Sequence, residues 1–249
     1  MKIYENSLLG PGTDLAITLL GTLLIIFAIN EKLRDQEKLY KKSIQEQQKR
    51  LICDIASEYD KAKVVPESDK IFKLYLDSTR MSKPDIVFNN DATLQRIRFS
   101  DKILFESDKH VIKDNTGEKI LKNVGDKIFN NIESIKEIII EGHTDNGRTK
   151  LYKSNLHLGM ERAITIFDFL KDNTKLDPNK QLISASTYGE YKPVQRNIKD
   201  LNYNEVKTYE NNSSKNKKAL NRRIDIFINY GKKNEKVYQQ QINIKSCIN

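Results

Sequence analysis

The chain opens on an apolar run. Leu8 to Ile29 reads LLGPGTDLAITLLGTLLIIFAI, and Leu15 to Ile29 contains no charge. Its 22 residues at about 1.5 Å rise cover the roughly 30 Å hydrocarbon core of a bilayer. No small-x-small cleavage site follows; Asn30-Glu31-Lys32 comes instead, and the leading segment sets only Lys2 against Glu5. The run is therefore expected to be an uncleaved transmembrane helix over 8–30, with residues 1–7 as a short tail. Flanking charge says little about orientation, with Lys2 on one side and Lys32 and Arg34 on the other. Beyond it the chain turns polar. Residues 31 to about 59 lack Gly and Pro, and Tyr40, Ile44, Gln47 and Leu51 keep a three-four spacing. That pattern predicts a helix continuing out of the membrane, either a weak dimer seam or a single solvated helix. Val64-Val65-Pro66 is expected to end it, so 31–85 reads as a helical linker.

From about Ile86 the periodicity changes. Thr93 to Phe99 (TLQRIRF) alternates as a strand, and Ile103-Leu104-Phe105 follows a short turn. Ile120, Leu121, Val124, Ile128 and Ile132 recur at helical spacing. Ile138-Ile139-Ile140 predicts a buried strand ending at Gly142, followed by the loop His143-Thr144-Asp145-Asn146-Gly147. Gly159, Ala163, Ile166, Phe167 and Leu170 form the inner face of a second helix. Leu182–Tyr188 and Arg222–Asn229 read as further strands. Strand and helix alternate, which predicts a mixed α/β sandwich over 86–230 and a tail over 231–249.

Charge changes this picture little. The net +9 comes from basic residues interleaved with Asp and Glu, with one dense run at Lys215-Asn216-Lys217-Lys218. This is a solvated surface rather than a nucleic-acid footprint, and no direct nucleic-acid partner is expected. Cys53 and Cys247 are the two cysteines. They pair as a disulfide if the soluble part lies outside the cytoplasm, and are free thiols otherwise. His143, His110 and His157 have no metal-ligand spacing, and no nucleophile-base signature or phosphate loop is present, so neither a metal site nor an enzyme is expected.

Asp14 stands at the start of the apolar run, just past Pro11. A carboxylate there suits a helix N-terminus at the membrane interface. It also shares a face with Gly10, Thr18 and Thr22, with Gly21 beside Thr22. Such a small, polar stripe faces protein rather than lipid, and intramembrane acids in that setting carry ions. One helix cannot form an ion path alone, so that reading requires a polytopic partner.

Five pieces in order carry a resemblance: Phe105-Glu106-Ser107, IIIEGHTDN ending at Asn146, NLHLGMERA over 155–163, YGEYKP over 188–193 and LNRRIDI over 220–226. Together they resemble the OmpA-like (OmpA/MotB/Pal) peptidoglycan-binding domain. The resemblance implies a βαβαββ-type sandwich over 86–230 and noncovalent binding of the diaminopimelate of peptidoglycan stems. It carries the ligand ammonium to Asp145 and the carboxylate to Arg162, with Thr144, Asn155 and Leu158 shaping the pocket. A structural salt bridge between Asp145 and Arg162 is the plainer reading. Of Arg222 and Arg223, one is implied to be mainly structural. The chain departs from the family over 198–220, where IKDLNYNEVKTYENNSSKNKKAL is expected to form an exposed polar loop.

A transmembrane acid ahead of such a domain resembles the B subunits of ion-driven motors, flagellar MotB and ZorB of the Zorya anti-phage systems. LYKSNLHLGMER over 151–162 and the cysteine placement lean toward ZorB. This resemblance implies a homodimer inside a pentameric polytopic A subunit (ZorA- or MotA-like). It implies Asp14 as ion carrier lined by Thr18 and Thr22, H+ or Na+ as the transported ion, no cofactor, and an inner-membrane protein with its domain in the periplasm. A passive cell-wall tether is the competing class.

Overall fold

The computed structural model describes residues 11–197, 199–231 and 247. Helix α1 (Pro11–Ala56) is continuous over 46 residues, with Pro11 in the first turn, where its missing N–H costs nothing. The chain divides into two units, 1–43 and 44–249, so α1 belongs to both. In the first unit, Leu15, Leu19, Leu23, Ile26 and Phe27 all stand exposed, and the helix is long and apolar enough to cross a membrane. Asp14 lies in its first turn, but the Asp14 side chain falls outside the described residues, as do Gly10 and the 1–7 tail. The Thr22 hydroxyl donates to the Leu19 carbonyl at 2.8 Å.

The second unit is a seven-stranded mixed sheet: β1 (Lys63–Pro66), β2 (Ile71–Tyr75), β3 (Ile86–Asn90), β4 (Leu94–Ser100), β5 (Ile135–His143), β6 (Leu182–Gly189) and β7 (Arg223–Tyr230). The spatial order is β1-β2-β3-β4-β7-β5-β6, and only β5 and β6 run parallel. The helices are α2 (Asp101–Leu104), α3 (Asp114–Asn130), α4 (Asn155–Asn173), α5 (Glu205–Glu210) and α6 (Lys215–Asn221). The βαβαββ expectation therefore describes β4 onward, with β7 inserted between β4 and β5.

Register explains the core. One row across the sheet reads Val64–Leu74–Ile86–Phe99–Ile224–Gly142, and the next reads Phe72–Phe88–Ile97–Ile226–Ile140. Successive side chains of a strand face opposite ways, so these rows make one apolar face. Each buried Ile or Phe there contributes about 1.5–3 kcal/mol. Gly142 on that face touches Gly159 of α4; a Cβ on Gly142 would overlap the Gly159 carbonyl, so only glycine lets helix and strand approach this closely. The opposite face carries Arg96, Arg98, Glu141, His143 and Asp225.

Two expectations for residues 31–85 are corrected. The segment is not a helical linker throughout: α1 ends at Ala56, and β1 and β2 follow and extend the sheet. Val64-Val65-Pro66 is strand, not helix terminator. Nor do Ile44, Gln47 and Leu51 form a dimer seam or a solvated face, since all three are buried within the second unit. Gln48 donates to the Asp91 carbonyl at 2.9 Å, Gln95 donates to the Gln48 carbonyl at 2.9 Å, and Asn123 of α3 donates to the Ile55 carbonyl at 3.0 Å. The three-four spacing is that of a helix packed on its own sheet. Cys53 in this helix forms a disulfide with Cys247, with Cα atoms 5.5 Å apart.

The 198–220 segment also differs from expectation. It folds into α5 and α6, each capped by a side chain: Asn204 accepts from Lys207 N, and Ser214 from Lys217 N. Asn212 and Asn221 are buried at its base.

Candidate functional site

The expected site residues gather at the C-terminal end of β5 and the N-terminus of α4. Thr144, just past β5, is held by its backbone N–H donating to Gly189 O at 3.0 Å. Gly189 ends β6 in a left-handed conformation (φ 51°) and presses on the backbone of Asn155 and Leu156. Ser154 caps α4 by accepting from His157 N at 3.1 Å. Asn155 and Leu158 in the first turns of α4 are both buried, and Asn155 lines a cavity together with Asn146 of the 144–147 loop. The Thr144 hydroxyl is buried and has no hydrogen-bond partner among the described residues.

Asp145 and Arg162 do not pair directly, so the salt bridge that was the plainer reading is absent. Two intermediates join them in a ladder. Arg162 Nη1 lies 3.5 Å from Asp101 Oδ2, Arg222 Nε donates to the same oxygen at 3.1 Å, and Arg222 Nη1 reaches Asp145 Oδ2 at 2.5 Å. Asp145 Oδ1 accepts from Gly147 N at 2.7 Å, the turn that fixes the carboxylate. Arg162 donates to the carbonyls of Lys109 at 2.9 Å and Glu106 at 3.5 Å and lies 5.1 Å from the Phe105 ring centre.

Burial grades along this ladder. The Arg162 side chain is 1% exposed and Asp101 5%, while Asp145 is 12% and Arg222 30% exposed. Burial lowers the Arg162 pKa, with Asp101 opposing, and burial raises that of Asp101 against the pull of Arg162 and Arg222. Asp101 Oδ1 remains without a partner among the described residues. Of Arg222 and Arg223, Arg222 is therefore the cation at the mouth, while Arg162 is the cation beneath the 105–109 loop. The alternation signal was present in the sequence: Arg223 begins β7 and turns to Asp225, so its neighbour Arg222 turns the other way.

On the opposite face lies a second charged cluster. Asp225 accepts from Arg98 Nε at 2.8 Å, Arg98 Nη2 at 3.1 Å and Arg223 Nε at 3.0 Å. His143 is fully buried, 3.2 Å from Glu141, and stacks on Tyr188. Burial lowers the His143 pKa and pushes Arg223 down to about 10. Burial would raise Asp225, but Arg223 and Arg98 hold its carboxyl well below the usual range. Among the described residues no group of three or more His, Cys, Asp or Glu could hold a metal.

Beside the ladder a cavity of about 860 Å³ is lined by Arg148, Lys150, Lys153, Tyr152 and Asn155, and an adjoining one of about 650 Å³ shares Asn146, Glu190 and Tyr191 with it.

Residues 104–207 match the OmpA family. Over these residues the chain is OmpA-like. The chain is 35% identical over 134 residues to Motility protein B of Bacillus subtilis (strain 168), covering 53% of this chain. The chain spans 44% of the length of that relative. In fold, the chain is similar to a MotB-like protein from Desulfovibrio vulgaris, with TM-score 0.54 and 15% identity over 77% of this chain and 99% of that one. The periplasmic domain of Helicobacter pylori MotB aligns over 59% of this chain and 83% of its own, with TM-score 0.47 and 19% identity.

Proposed function

We propose that this chain is the B subunit of an ion-driven membrane motor, held to peptidoglycan by its OmpA-family domain and serving Zorya anti-phage defence. The observation that carries the motor reading is the match to Motility protein B, set beside a helix apolar and long enough to span a bilayer. Two copies sit within a pentameric polytopic A subunit, ZorA- or MotA-like. Asp14 takes and releases H+ or Na+, with Thr18 and Thr22 on the same helical face. The wall grip keeps the B dimer still while the A ring turns. No cofactor takes part.

The N-terminus lies in the bacterial cytoplasm and the domain in the periplasm. The Cys53–Cys247 disulfide supports that side, since disulfides persist in oxidising compartments. The wall ligand is the zwitterionic head of diaminopimelate. Its ammonium goes to Asp145, and its carboxylate to the guanidinium groups of Arg222 and Arg162, which present paired N–H donors suited to a carboxylate. The Zorya assignment rests on LYKSNLHLGMER over 151–162 and the cysteine pair. The Bacillus match favours a second reading, a flagellar stator subunit.

Asp14→Asn keeps size and removes titration. In cells carrying the A subunit and its partners, the variant is expected to abolish phage protection while leaving membrane insertion and wall binding unchanged. Full protection together with full motility in the variant would sink the ion-carrying role. Loss of motility with intact protection would favour the flagellar reading.

A further inference from the structure

The 199–220 segment runs past the end of the OmpA match at residue 207 and supplies no residue to the Asp145–Arg162 ladder, yet it is built into the same end of the domain. Asn212 is 1% exposed, and its Oδ1 accepts from Asn146 N at 3.3 Å and from Asn221 Nδ2 at 2.8 Å. Asn221, fully buried, accepts from Val194 N at 2.9 Å. The segment is thus tied to the backbone of the residue that follows Asp145. A wall fixed in this way binds without the ordering cost of a loose loop.

What this wall encloses has a definite chemistry. The adjoining cavity presents Tyr191 from the end of β6, Tyr203 before α5 and Tyr209 on α5. Tyr191 is 55% and Tyr209 68% exposed. Arg196 stacks 4.2 Å from the Tyr203 ring centre. Glu190, Glu205 and Thr208 supply acceptors and a hydroxyl around these rings. The first cavity differs: Arg148, Lys150 and Lys153 make it basic. Asn146 lines both, and its Oδ1 is buried with no partner among the described residues. An orphan acceptor at the junction calls for a donor from an occupant.

An occupant that fits must run from a carboxylate-bearing part into a neutral part with apolar faces and a hydroxyl rim. Aromatic rings bordered by a few polar groups suit a sugar face, whose C–H surface covers the ring while its hydroxyls reach the rim. Resting on the peptidoglycan reading of the ladder, we infer that the 199–220 segment forms a glycan subsite that takes the N-acetylated amino sugars of the wall strand. The basic cavity takes the carboxylates of the attached stem peptide, and the Asn146 amide oxygen accepts an N–H at the junction of the two.

The test uses the full chain in detergent and titration calorimetry with two probes: a disaccharide carrying its diaminopimelate-containing stem peptide, and the same stem peptide without sugar. The native chain is expected to bind the sugar-bearing probe roughly tenfold more tightly, a difference of about 1.4 kcal/mol. The double variant Tyr203→Ala/Tyr209→Ala alters two rings that line the second cavity and not the first. It is expected to erase that difference and leave binding of the bare stem peptide unchanged. Equal affinity of the native chain for both probes, or a difference that survives in the double variant, would overturn the subsite. Failure of the native chain to bind either probe would overturn the peptidoglycan reading itself and the subsite with it.

Discussion

Replacing Asp225 by alanine lowers the unfolding free energy of the domain by about 3–5 kcal/mol at neutral pH, measured by urea denaturation. The carboxylate is 1% exposed and holds Arg98 by two hydrogen bonds and Arg223 by a third. Arg98 and Asp225 stand directly opposite across β4 and β7, and Glu141 continues the row on β5. Without Asp225, Arg223, 3% exposed, would be a buried cation lacking its counter-charge. The wild-type pH dependence has a matching sign. Asp225 has a folded pKa below its ordinary 3.8, so its stabilisation is complete above that value and drains away as pH falls beneath it. His143 acts in the same direction at higher pH. Its folded pKa lies below the ordinary 6.5, so below that pH the unfolded chain takes up a proton that the fold resists. The native domain therefore weakens in two stages on acidification. Asp225→Ala loses the lower stage and keeps the upper one.

Arg162→Ala reduces peptidoglycan binding at least about thirtyfold, the equivalent of some 2 kcal/mol for truncating a buried charged partner. It also costs fold stability of about 1–3 kcal/mol, because the carbonyls of Glu106 and Lys109 lose their donor and Asp101 keeps only Arg222. Circular dichroism and thermal melting separate the two effects. Arg162→Lys keeps the charge without the planar fork, so it is expected to stay folded and still bind weakly. Binding by Arg162→Lys at the native level would show that the guanidinium grips no ligand.

The second half of the chain was legible because its pattern is strong. Ile138-Ile139-Ile140 before Gly142, and Ala163, Ile166 and Leu170 on one helical face, could take few other forms, and β5 and α4 lie where they indicate. Residues 57–85 were not legible. β1 has four residues and β2 five, too short to set a period against their surroundings, and their pairing with β3 is a tertiary fact. The Ile44–Leu51 spacing marked a helical face correctly but could not name what covers it. At the site, Asp145 and Arg162 were found by motif, whereas Asp101 was missed. It sits in a short helix right after β4 and meets Arg162 and Arg222 only when β4, α4 and the start of β7 are brought together. The 199–220 segment reads as loop because its one buried residue is Asn212, and Asn221 just beyond it is polar too; neither carries a hydrophobic signal.

Co-sedimentation of the full chain with purified sacculi, with and without free diaminopimelate as competitor, tests the account's centre most directly. The chain is expected to sediment with the wall and to be released by the zwitterionic diamino acid, which occupies the head-group site formed by Asp145, Arg162 and Arg222. A chain that stays in the supernatant, or one that sediments equally well against saturating diaminopimelate, would contradict the account.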